Sequence, residues 1–203
     1  QVMDEPGGKL VSQKLPPIKR MRILKPVNLL NPEPGVYVYD LGQNFAGWAK
    51  LKNINAQAGT TIQLRFSESV YEDGMIDPAS TGGYATFVIQ TDRYICKGDG
   101  IETWEPRFTY HGFRYVEMTG FQGEPSLENL EGVAVYTSAD TAGTFKCSDE
   151  MLNRIHSTAL WTQVSNMHSI PTDCPHRERC GWLGDAHLCA EMSIYNLNVP
   201  LFW

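Results

Sequence analysis

The sequence predicts a mainly β protein, an antiparallel β-sandwich followed by helices, and three observations carry that expectation. From Gly35 to about residue 140, β-branched and aromatic residues recur with period two between turn signals. After Thr141 the apolar spacing lengthens to that of a helix. The 203 residues are 42% apolar and 11% aromatic, enough to build a core and too apolar for a disordered chain.

Residues 1–34 hold Gly7, Gly8, Pro16, Pro17, Pro26, Pro32 and Pro34 with little periodicity, which reads as a connector with one strand over 19–24. Residues 35–140 read as a sandwich domain. Val36-Tyr37-Val38-Tyr39 is its first strand and residues 47–52 a second. Residues 60–66 alternate cleanly. Residues 87–90, 93–96, 113–118 and 130–135 follow, with Phe108 as a shorter piece. Ala58-Gly59, Asp73-Gly74, Gly82-Gly83 and Gly98-Asp99-Gly100 separate them. Such strands at roughly ten-residue spacing suit a sandwich. Beyond 141, Ser148 reads as a capping hydroxyl, followed by Asp149 and Glu150 at the positive end of a helix dipole. That helix is expected to start within two residues of Asp149 and to end near Asn166, ahead of Pro171 and Pro175. A second opens around 182–185 and runs towards Pro200. Two helices cannot bury their own apolar faces, so 141–203 reads as an incomplete domain.

Charge and cysteines exclude several classes. The chain has 17 basic and 23 acidic residues, net −6, with the acidic excess spread over both parts. No basic face is visible, so neither nucleic acid nor an anionic membrane is an expected partner. No apolar run approaches the ~18 residues of a spanning helix. Five cysteines, Cys96, Cys147, Cys174, Cys180 and Cys189, cannot all pair, and reduced thiols are expected. The compartment, cytoplasmic or periplasmic and secreted, stays open, as does the oligomeric state.

The chemistry-bearing segment is Asp173-Cys174-Pro175-His176-Arg177-Glu178-Arg179-Cys180-Gly181-Trp182-Leu183-Gly184-Asp185. It sets three carboxylates, two guanidinium groups and a Trp between two helices, where catalytic loops usually lie. As a plain sequence it also suits a solvated charged loop, but its Pro, two Gly and Trp argue for a shaped one. A zinc site would use Cys174, His176, Cys180, His187 and Cys189, yet none of them shows the usual C-x₂-C or H-x₃-H spacing. A Cys174 nucleophile lacks an independent base and orienter. Carboxylates fit better. An acid catalyst must hold a proton at neutral pH, and converging Asp173, Glu178 and Asp185 would keep one protonated by repulsion. Arg177 and Arg179, flanking Glu178 in an extended loop, are expected to turn away from it towards Asp173 or Asp185.

At these residues the segment resembles the bacterial α-L-rhamnosidases of glycoside hydrolase family 78, whose barrel carries a stretch similar to DCPHRERCGWLGD. Tyr39-Asp40-Leu41-Gly42-Gln43-Asn44-Phe45-Ala46-Gly47-Trp48 and His111-Gly112-Phe113-Arg114-Tyr115-Val116 resemble the sandwich before that barrel. The resemblance covers about residues 20–203. It implies that 141–203 begin an (α/α)₆ barrel and that the parent is an inverting hydrolase of rhamnosylated glycosides or polysaccharides. It implies Glu178 as general acid, with Asp173, Asp185, Trp182 and Arg177 binding the sugar. The family's base is a Glu further along the barrel with no counterpart here, so this chain alone is expected to be inactive. No cofactor is implied. A structural Ca²⁺ stays open, although no D-x-D-x-D loop is present.

Trp48, Trp104 and Tyr110 read as core or interface residues. Asp40 and Asn44 read as turn formers with Gly42, and His156 and His168 as packing or helix-end residues. Two other readings remain: a non-catalytic carbohydrate-binding sandwich, and a structural sandwich that touches no ligand. The carboxylate loop favours the enzyme, since a binding module needs no proton donor.

Overall fold

The computed structural model describes residues 7–81 and 90–203. Its strands are β1 (Ile18–Leu24), β2 (Asn28–Glu33), β3 (Val36–Asn55), β4 (Thr61–Ser67), β5 (Thr91–Ile95), β6 (Ile101–Trp104), β7 (His111–Thr119), β8 (Leu130–Thr137) and β9 (Asp140–Thr141). Two helices follow, α1 (Glu150–Ser165) and α2 (Leu183–Asn196), then the short β10 (Leu197–Asn198). Among the described residues before 140 the only helical pieces are 3₁₀ turns at Pro78–Thr81 and Leu127–Asn129.

The main sheet is antiparallel in the order β1-β8-β3-β7-β4-β5, with β2 and β6 also pairing β3. β3 organises it. Its first residues lie between β2 and β7. Gly47 to Leu51 pair with β8, and Asn55 reaches β6. One strand thus passes from one layer to the other, and the curled sheet closes on its own core as a sandwich does. Gly47 sits at this crossing, paired with both His111 and Ala134. A Cβ there would lie 1.9 Å from the Val133 carbonyl oxygen, so only glycine lets the backbones meet. Tyr39, Phe45, Leu51, Ile62, Phe66 and Phe113 are fully buried. Phe113 meets Phe45 and Phe66 at ring-centroid distances of 4.5 and 4.6 Å, the tilted contact aromatic pairs prefer.

Several expectations are corrected. The segment read as a connector contributes β2 as well as the expected β1, and both strands join the sheet. The strands read at 36–39 and 47–52 are one strand. A register shift between Asp40 and Phe45 breaks the period-two pattern without reversing the chain. Asp40 accepts from the Gly42 N–H at 2.7 Å inside that bulge, where Gly42 has φ 71°. β6 was not anticipated, and Phe108 belongs to no strand. The strand read at 87–90 and the Gly82-Gly83 turn fall on residues 82–89, outside the described residues; Gln90 itself is not in a strand.

α1 begins at Glu150, but its cap is Asp149 and not Ser148: the Asp149 carboxylate accepts from the Met151 and Leu152 N–H groups. The helices pack onto the sheet through few residues. Val164, Met167, Leu197, Val199 and Phe202 share the sheet's apolar cluster. The Thr137 N–H donates to the Met167 carbonyl at 2.7 Å, and the Trp161 indole donates to the Asn44 carbonyl at 2.6 Å. Meanwhile Met151, Leu152, Ile155, Leu183, Leu188 and Ile194 are exposed, while Gln163, Ser165, Ser193 and Asn196 are buried. Apolar residues facing outward are the pattern of helices that pack against further helices.

Candidate active site

The loop from Asp173 to Trp182 is a folded turn, and its own hydrogen bonds shape it. The Asp173 N–H donates to the Cys180 carbonyl at 3.0 Å, and the Asp173 carboxylate accepts from the Cys180 N–H at 2.8 Å. The Glu178 N–H donates to the Cys174 sulfur at 3.1 Å, and Arg179 Nε to the Pro175 carbonyl at 3.2 Å. Arg179 carries the left-handed turn, with φ 54°.

The sheet holds this turn from below. Gly112 of β7 makes room for it, since a Cβ there would lie 2.6 Å from Pro175 Cγ and 3.1 Å from His176 Cβ. His176 Nε2 lies 3.8 Å from the carboxylate of Glu68, which also accepts from Asn44 Nδ2 at 2.8 Å. Tyr110 stacks on His168 at 3.9 Å, and Arg179 lies over the Tyr110 ring at 4.6 Å. His168 Nε2 faces the Val135 carbonyl at 2.9 Å. Glu68 is not flagged by local sequence and Tyr110 reads there only as a core or interface residue, because each reaches the loop across many tens of residues of chain.

The candidate side chains fall into two groups. Asp173 and Asp185 line a cleft of about 360 Å³ between α1 and α2, together with Thr162, Gln163 and Asn166. Burial pushes the Asp173 carboxyl up, but hydrogen bonds from Cys174, Cys180 and its own backbone outweigh it and hold the group below the usual carboxylate range. Asp173 is therefore an anionic acceptor, unsuited to donate a proton. The buried amide oxygen of Asn166 has no partner among the described residues. These three polar residues were not anticipated: Gln163 is buried on α1, Thr162 is exposed beside it and Asn166 is the C-cap, so no shared pattern marks them.

Glu178 lies outside that cleft lining. One of its oxygens accepts from Trp182 Nε1 at 2.8 Å and the other faces Arg177 Nη2 at 3.2 Å. Here the expectation is corrected: Arg177 pairs with Glu178 itself, and Arg179 turns to Tyr110. The loop is not extended, and its tight turn brings neighbouring side chains to one side. Trp182 is half exposed, its indole N–H committed to Glu178.

The remaining residues are structural in their contacts. Asp40 accepts two bonds from Arg114, both at 2.7 Å, which hold its carboxyl below the usual range against some burial. His156 Nε2 meets Asn196 Oδ1 at 2.8 Å between the helices. Trp104 stacks on Tyr94 at 5.2 Å. All five cysteines are free thiols, with Cys174 buried. Among the described residues no three His, Cys, Asp or Glu side chains gather as metal ligands would.

With this geometry in hand, comparison with known proteins decides the family. Residues 30–136 match the bacterial alpha-L-rhamnosidase concanavalin-like domain, and residues 140–203 the bacterial alpha-L-rhamnosidase 6 hairpin glycosidase domain. The chain belongs to the bacterial α-L-rhamnosidase family. It is 44% identical over 193 residues to an alpha-L-rhamnosidase of Formosa agariphila, covering 95% of this chain and 20% of that protein. It is 42% identical to an alpha-L-rhamnosidase of Streptomyces avermitilis, covering 96% of this chain and 18% of that one. Among solved structures, the α-L-rhamnosidase from Dictyoglumus thermophilum superposes with a TM-score of 0.87 at 50% identity, over 97% of this chain and 22% of that one. The Streptomyces avermitilis α-L-rhamnosidase complexed with L-rhamnose gives 0.85 at 43% identity, over 93% and 18%. The chain thus spans about a fifth of the length of the α-L-rhamnosidases it matches. The outward apolar face of α1 and α2 fits a first hairpin of a six-hairpin domain.

Proposed function

We propose that this chain is part of an enzyme that removes terminal α-L-rhamnose from glycosides or polysaccharides by an inverting acid–base mechanism. Glu178 is the general acid: it passes a proton to the glycosidic oxygen as the bond to the anomeric carbon breaks. The observation that carries this reading is the placement of Glu178 on a turn seated over Gly112 and oriented by Trp182; its contact with Arg177 favours the carboxylate, so the proton-loaded state requires Arg177 to leave it for the substrate. Asp173, kept ionised, accepts from sugar hydroxyls, and Asp185 does the same from the first turn of α2. Trp182 offers its ring to the apolar face of the deoxysugar, and Arg177 binds the sugar. A base on the opposite face of the ring activates water, as inversion requires. That base lies outside these 203 residues. Two carboxyl groups suffice for the reaction, so no cofactor enters it.

The test is NMR of the first product from an α-L-rhamnoside. A polypeptide carrying this chain with a complete six-hairpin domain should release the inverted anomer, and the 203-residue chain alone should release none. Net retention, or robust hydrolysis by the short chain, would overturn the reading; the latter would place the second carboxyl among Asp173, Asp185 and Glu191.

A further inference from the structure

We propose that the sandwich domain carries a second, non-catalytic binding site for an anionic saccharide, in two adjoining hollows on the sheet, centred on Trp48 and Arg107. The first, about 930 Å³, is lined by Trp48, Trp104, Arg20, Lys50, Glu105 and Arg107. The second, about 570 Å³, shares Arg20, Trp48 and Arg107 and continues past Phe108 to Tyr110. Trp48 and Phe108 are the rings offered here to the apolar faces of sugars, since Trp104 stacks on Tyr94 and Tyr110 is covered by His168 and Arg179.

Charge selects the ligand. Lys19, Arg20, Lys50 and Arg107 border the hollows against one carboxylate, Glu105, in a chain whose net charge is −6. Glu105 is already engaged: Trp48 Nε1 donates to it at 2.9 Å and Arg20 pairs with it at 3.1 Å. Lys19, Lys50 and Arg107 have no ion-pair partner among the described residues. A guanidinium reads a carboxylate or sulfate through paired hydrogen bonds.

Phe108 supplies an independent observation. It is fully exposed and has φ 60°, a conformation that is rare and strained for a bulky residue. Packing within the described residues does not compensate that strain, since the ring touches solvent on all sides. A ring so presented beside the hollow suits a ligand contact.

The experiment is calorimetric titration of the protein at low ionic strength with an oligogalacturonate, a sulfated galactan oligosaccharide and neutral cellohexaose. At least one anionic oligosaccharide should bind saturably, and the one preferred identifies carboxylate or sulfate as the charged group. Arg107→Ala, at an exposed position, should weaken binding about tenfold, the worth of one charge-assisted hydrogen bond. Arg107→Glu should abolish binding with the thermal transition unchanged, and added salt should weaken it. Binding of neither anion, equal binding of cellohexaose, or indifference to Arg107→Glu would overturn the proposal. So would a dimer broken by Arg107→Glu, because a second copy would then be the occupant. Failure here leaves the Glu178 reading untouched, since Arg107, Lys50 and Trp48 take no part in it and the test alters neither Tyr110 nor His168, which line the second hollow and also seat the loop.

Discussion

Acidification should loosen the seat of the Asp173–Trp182 loop through one side chain, His168. Its imidazole is buried against Tyr110, its Nε2 faces the Val135 carbonyl, and its Nδ1 has no partner among the described residues. Burial is the main reason its pKa is pushed down to about 4. The Val135 carbonyl opposes the shift and Arg179 adds to it. In the unfolded chain the ring titrates near about 6.5. Between those values the unfolded state binds a proton that the folded state refuses, so stability falls as pH drops through the window. The full difference corresponds to about 3 kcal/mol, reached below pH ~4, and about 2 kcal/mol is already lost at pH ~5. The assay is urea unfolding at several pH values for the wild type and for His168→Gln. The variant should be less stable at neutral pH, having lost the stack, but its stability should fall less steeply with acid. Carboxylates add their own pH dependence to both proteins and cancel in the comparison. Identical slopes in the two proteins would refute the buried-neutral assignment.

Three further outcomes are expected. Gly112→Ala should destabilise the protein by about 1–3 kcal/mol, the range for overpacking, and change Trp182 fluorescence as Pro175 and His176 are lifted; an unchanged melt and spectrum would remove Gly112 as the seat. Asp40→Ala should cost about 1–3 kcal/mol in denaturant unfolding, because it leaves the Arg114 guanidinium without its two-bond partner; a loss below about 0.5 kcal/mol would make the pair ornamental. Alkylation of the native protein should modify Cys180 first, and Cys96 and Cys174 only on unfolding, since Cys180 alone is exposed and those two are buried. Quantitative Cys174–Cys180 oxidation in the native protein would contradict this.

What the sequence made legible was whatever kept its period. β4 alternates between a buried and a partly exposed face, so it could be read within a residue of each end. β6 inverts the rule. Ile101 faces solvent, while Glu102 is buried, accepting from Tyr94 and from the Lys97 and Gly98 N–H groups. No hydrophobic pattern announces such a strand. Among the described residues β2, which carries Pro32, pairs only with β3, an edge position where a missing N–H is tolerated and strand signals are weak. The segment from Asp173 to Asp185 stood out because its residue types are improbable together. Its supports were not, because Glu68, Tyr110 and Gly112 meet it only through the tertiary fold. Arg177 turned inward because the chain coils there, and that curvature follows from hydrogen bonds that no spacing rule encodes.

The most direct measurement is the turnover of Glu178→Gln in a polypeptide carrying the complete six-hairpin domain, on two α-L-rhamnosides that differ only in leaving group. With an unactivated aglycone, turnover should fall by about 10²–10⁴, the usual worth of general acid catalysis. The amide keeps the size of the side chain but has no proton to deliver, so KM should change far less. With a nitrophenolate leaving group, whose oxygen departs with little protonation, the loss should be much smaller. Equal losses on both substrates would contradict the assignment and make Glu178 a residue that positions the sugar.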